Sequence, residues 1–150
     1  MSKTKFTIPK FPAFVDILGT PWKIEVRKYE DDSYFKKRGC DGYCSEADQL
    51  VVVCDMTTWP SFDDTTQSQD YLHNSMKRVL RHEITHAFLA ESGLSDSSND
   101  YHEGWAVNEE MVDWIARQGP KLYKAWEKAG CLSPMMSPER YLEWKAGETK

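Results

Sequence analysis

Apolar and polar positions alternate through "TPWKIEVRKY", with Trp22, Ile24 and Val26 set against Lys23, Glu25 and Arg27. That period of two predicts a half-buried strand. In "DGYCSEADQLVVVCDM" the pattern changes, because Leu50 to Cys54 is an unbroken apolar run. A mostly buried strand follows, joined in a hairpin to a short strand at Tyr43 and Cys44 through a turn near Glu46 to Asp48. The intervening "DDSYFKKRG" is charged and without a period, so it reads as an irregular excursion. Residues 1 to 12 are polar and interrupted by prolines, which predicts a loosely held tail that docks through Phe6, Phe11 or Phe14.

Beyond Pro60 the period becomes helical. Leu72, Met76, Val79, Leu80, Glu83, Ala87 and Phe88 share one face, Thr66 with Gln69 has the capping-box form, and Gly93 closes a helix over residues 67 to 92. Asp100 with Glu103 repeats the start signal for a second helix through Ala106, Val112 and Ile115 to Gln118, which Gly119-Pro120 ends. "KLYKAWEKA" predicts a third helix closed by Gly130, and Ser137-Pro138 opens a short fourth. There is no internal repeat.

The chain has 150 residues, 40% of them apolar, enough for one buried core. A single domain over 1–150 is expected, with 131–150 as a C-terminal extension. The net charge of −5 argues against nucleic acid as the main partner, since a phosphate backbone calls for a basic face. No apolar stretch reaches the length of about 18 residues that a membrane span needs, and two prolines interrupt the N-terminal region where a signal peptide is continuous. The expected location is cytoplasmic. Four cysteines, Cys40, Cys44, Cys54 and Cys131, read as free thiols, and the Cys-x3-Cys pair at 40 and 44 as buried rather than metal-binding.

The candidate chemistry lies in "HEITH". Residues four apart share a helix face, so His82 and His86 can grip one cation, while Glu83, one step round, projects beside the ion where its carboxylate can take a proton from water. A catalytic zinc takes three protein ligands and keeps an open position, so a third donor is required. The continuation with a third histidine is absent, because Leu89 and Ser92 stand at its positions. In "NEEMVDWIA", Glu109 has Asp113 four residues on, a second carboxylate on the same face able to accept the remaining N–H of a ligating histidine. Glu109 is the preferred ligand and Glu110, about 100° away on the helix, the alternative. His102 lies too far along the same helix to share an ion with Glu109.

"HEITH" on one helix and "NEEMVD" on the next resemble the gluzincin metallopeptidases, the thermolysin-like group. In that pattern the glutamate binds zinc and the aspartate orients a histidine ligand, which falls on Glu109 and Asp113. More closely, "ILGTPWKIEV", "DGYCS", "RHEITHAFLAESGL" and "NEEMVDWIA" look like small zinc-peptidase-like proteins of bacteriophages and prophages, over roughly residues 17 to 118. The resemblance implies an α+β, minimal zincin-like fold: a small sheet, an active-site helix, a second ligand-bearing helix and short C-terminal helices. It also implies Zn2+, a protein or peptide substrate and, for a phage protein, the host cytoplasm.

The expected reaction is peptide-bond hydrolysis by a metal-activated water with Glu83 as general base, and Tyr101 or His102 is a candidate to stabilise the oxyanion. The alternative is a non-hydrolytic protein of a phage or mobile element whose zinc pins structure or serves partner recognition. Leu50 to Cys54 reads either as an edge strand open to an added peptide or as a central strand. The cluster Lys77, Arg78 and Arg81 reads as a solvated face ahead of a dock for an acidic partner, and Trp105, Trp114, Trp126 and Trp144 as packing.

Overall fold

The alternating segment forms β2 (Thr20–Lys28), and the apolar run forms β4 (Leu50–Asp55), which pairs with β2 in parallel. β3 (Gly42–Ser45) joins β4 as an antiparallel hairpin. A further strand, β1 (Phe14–Ile17), precedes β2 and was not legible as one, because its four residues lie against a stretch that reads as tail. Leu18 and Gly19 both take positive φ, the two-residue turn that matches strand twist in a hairpin. The result is a mixed four-stranded sheet ordered β1-β2-β4-β3 in a computed structural model that describes residues 6–97 and 105–130.

The unbroken apolar run is explained by its place in this order. β4 is central, so Leu50 to Cys54 is not an edge, and both of its faces are covered. Val51 and Val53 pack with Trp22, Ile24 and the long helix α2 (Gln69–Glu91), whereas Val52 and Cys54 pack with Phe35 on the opposite side. Phe35 comes from a helix, α1 (Ser33–Arg38), in the segment expected to be irregular. Its periodicity is too short to register, but its ends are specified: Asp32 accepts from the Tyr34 N–H, and Gly39 adopts φ 63° at the C-terminus. A one-turn 3-10 segment, Tyr29–Asp31, leads into it.

Ser68, rather than Thr66, caps α2 by accepting from Tyr71 N, because Thr66 is engaged with Asp63. Leu72, Met76, Val79 and Ala87 of α2 are buried, while Phe88 is exposed and Leu89 is buried in its place. The substitution of one for the other follows from a second contact face: Leu89 packs with Ala106 and Val112, so the helix is covered on more than the sheet side. In the N-terminal segment Phe6 and Phe11 pack on the core and Phe14 is exposed in β1.

After the short α3 (Leu94–Ser97) and a 3-10 turn at Trp105–Val107, α4 runs Glu109–Lys128. Asn108 accepts from Met111 N at its start, and Glu109 and Glu110 in the first turn complement the helix dipole. The start signal at Asp100 and Glu103, the fourth helix at 137, Cys131 and the extension 131–150 lie outside the described residues. Gly119-Pro120 does not end the helix as expected. Proline lacks an N–H, which leaves the Ala116 carbonyl without its intrahelical donor, and Arg81 Nε supplies one at 2.6 Å. The third expected helix is thus the continuation of α4. By contact the chain divides into two compact units, residues 1–118 and 119–150, and the first carries the sheet, α2 and the start of α4.

Trp114 is 55% exposed, so it does not serve the packing assigned to the tryptophan stripe, and Ile115 is also exposed. Trp22 is fully buried instead, its indole N–H donating to Glu91 at 2.9 Å. Cys40, Cys44 and Cys54 are free; Cys54 is buried, whereas Cys40 and Cys44 are half-buried. Among the described residues no helix is long and apolar enough to cross a membrane.

Candidate metal centre

α2 is held against the sheet by its apolar face, which turns His82 and His86 toward the side where α4 begins. The two Nε2 atoms stand 3.0 Å apart. From the first turn of α4, Glu109 places Oε2 3.1 Å from His82 Nε2 and Oε1 3.4 Å from His86 Nε2. A tetrahedral ion bound at about 2.0 to 2.1 Å sets its ligand atoms roughly 3.3 Å apart, so these separations match one face of such a site. The three residues form a group able to hold a metal ion, and Glu110 is not part of it. Two imidazoles and one carboxylate are a donor set suited to zinc and its transition-metal neighbours rather than to calcium or magnesium.

Asp113, one turn after Glu109, lies 2.9 Å from His82 Nδ1. A carboxylate only accepts, so this contact is an Nδ1–H donated to Asp113, and in the neutral ring with that proton Nε2 offers its lone pair to a metal. For His86, burial lowers the basicity of the ring while Glu109 acts in the opposite sense. The neutral ring is the form that ligates a metal.

Glu83 is only 5% exposed and lies beside this group, against the β3 backbone. Burial is the main cause that pushes its carboxyl up to about 8, with the charges of Asp41 and Glu109 adding to it. In the metal-free protein the folded state therefore holds this proton more tightly than the unfolded chain does. The associated stability is complete below the ordinary carboxyl range and is lost as pH rises toward 8. The thermal midpoint of chelator-treated protein should fall between pH 5 and pH 8 by more in wild type than in Glu83→Gln, a difference that removes the opposing contribution of His86. Equal slopes in the two proteins contradict the assignment.

A cleft of about 450 Å³ contains His82, Glu83, His86 and Glu109 on one wall and Cys40 to Cys44 on another. β3 is an edge strand of the sheet and forms that second wall. Gly42 is required there by a close approach: a Cβ at this position would fall 2.5 Å from Val79 Cγ1 and 3.0 Å from Glu83 Oε1. Gly42→Ala should destabilise the fold by about 1 to 3 kcal/mol through overpacking against α2, read as a shift in chemical denaturation midpoint. A neutral result would mean that α2 moves freely at this point. Cys40 and Cys44 border the cleft without joining the donor group, and burial raises both thiols, Cys44 to about 12. They are therefore protonated and poor ligands at neutral pH.

Sequence reasoning placed His82, Glu83, His86, Glu109 and Asp113, and the structure brings these five together. Tyr101 and His102 lie outside the described residues, so no oxyanion donor is assigned. Asp41 and Gly42 were missed as neighbours of Glu83, although a glycine at the start of a strand signals close backbone approach. His73, expected to be an ordinary helix residue, contacts the Thr7 carbonyl at 2.8 Å. Comparison with protein-family models, with curated proteins and with solved structures gives no match, so the reading of the site rests on its own geometry.

Proposed function

We propose that the protein is a zinc-dependent metallopeptidase with a minimal zincin-like fold of gluzincin type, acting on a protein or peptide substrate. The observation that carries this reading is the triangle of His82, His86 and Glu109 donors with a buried carboxylate, Glu83, beside it in an open cleft. A structural ion needs no base at its side, whereas hydrolysis does.

When bound, zinc supplies Lewis-acid polarisation of a substrate carbonyl and lowers the pKa of water to near 7. The remaining work falls to the chain. Asp113 holds His82 in the tautomer that ligates. Glu83, ionised when a cation sits nearby, accepts a proton from water at its carboxylate and delivers it to the nitrogen of the departing amine. Among the described residues β3 pairs with a strand on one side only, and an extended peptide in the cleft adds to its other edge as a further strand. This edge role belongs to β3, not to Leu50–Cys54.

The test compares Glu83→Gln with wild type for zinc content and for cleavage of a broad peptide library. Metal retained with cleavage lost supports the proposal. Metal retained with no cleavage by either protein favours a zinc site that pins structure or recognises a partner.

A further inference from the structure

Against α2, outside the cleft that holds Glu83, a cavity of about 310 Å³ is lined by Tyr71, Asn74, Ser75, Arg78, Arg81 and Arg117. Three arginines thus line one concavity of a chain whose net charge is −5. The periodicity of α2 places Arg78 and Arg81 three residues apart on one face, and α4 brings Arg117 to them.

The charges are poorly compensated. Among the described residues Arg78 has no carboxylate partner, and the closest approach of Arg117 to Asp113 is 3.9 Å, beyond hydrogen-bond reach. Arg81 gives its Nε to the Ala116 carbonyl, which fixes the plane of its fork, and among the described residues its terminal nitrogens have no hydrogen-bond partner. A neighbouring cavity that shares Arg78 and Arg117 is lined by Asp41 and Asp113 and reaches His82, so these two carboxylates are the acidic groups nearest the cluster.

We infer that this arginine cavity is a binding site for a small phosphorylated anion, one carrying a phosphoryl or diphosphoryl group. Guanidinium forks pair bidentately with phosphate oxygens, and one carboxylate, with two oxygens, does not use three such forks. Ser75 and Asn74 add neutral donors on the same wall, and the space exceeds that of a phosphate alone, leaving room for the group that bears it. The site is separate from the cleft of Glu83 and does not depend on peptidase activity.

The experiment is calorimetric titration of the 150-residue, zinc-supplied chain with pyrophosphate at moderate salt. Saturable binding of one equivalent is expected. Arg78→Gln should weaken it by about tenfold or more, the scale of a charge-assisted hydrogen bond, while Lys77→Gln, an equal charge change outside the cavity, leaves it unaltered. Titration with a phosphoserine peptide distinguishes the source of the phosphoryl group. Absence of saturable binding, equal loss in Arg78→Gln and Lys77→Gln, or full binding retained in Arg78→Gln would each overturn the assignment. So would a phosphopeptide that binds where pyrophosphate does not.

Discussion

Glu83→Gln is expected to reduce peptide hydrolysis by a factor of about 10² to 10⁴, the range contributed by a positioned general base, with zinc still bound. The reason lies in what the substitution leaves alone. Glutamine keeps the shape of the side chain packed against Gly42, and it resembles the protonated form that burial favours in the metal-free fold. Neither histidine nor Glu109 is touched. Activity should therefore fall without loss of folding, measurable as an unchanged melting transition, unchanged zinc content and a lower kcat/KM. A variant that cleaves as well as wild type would remove Glu83 from the chemistry.

The second large effect concerns the third ligand. Glu109→Ala takes away the one anionic donor in the triangle, and the remaining two imidazoles hold an ion less tightly. Removing a group that merely orients a ligating histidine costs about 10 to 100-fold in metal affinity. Asp113→Ala should fall in that range, because it frees the His82 tautomer while leaving all three donors in place. Glu109→Ala should exceed it, and Glu110→Ala should match wild type, since Glu110 stands apart from the donor group. Competition with a chromogenic chelator orders the three variants. Inversion of Glu109 and Glu110 in that series would contradict the geometry described.

The residues of the candidate metal centre were legible because helix geometry alone brings positions four apart together, and because Asp113 marks the face of α4 on which Glu109 lies. The strand alternation at Trp22, Ile24 and Val26 was legible for the same kind of reason. What the sequence hid was set by tertiary context. Whether Leu50–Cys54 was edge or centre depended on β1 and β2 lying on one side and β3 on the other, and no local pattern carries that order. Pro120 is a reliable helix stop only while the carbonyl four residues earlier has no other donor. Arg81, thirty-five positions before Ala116, provides that donor. Phe88 and Leu89 exchanged places because α2 is packed on two sides, which a single apolar stripe does not reveal. The demand on Gly42 comes from α2 lying against it, a contact between parts of the chain distant in sequence.

The most direct measurement is the zinc content of the protein by elemental analysis after supply of transition-metal ions and removal of loosely bound metal. One zinc per chain is predicted for wild type and for Glu83→Gln, with substoichiometric zinc in His82→Ala and His86→Ala. Wild-type protein that retains no ion at stoichiometric level, or histidine variants that retain as much as wild type, would contradict the account.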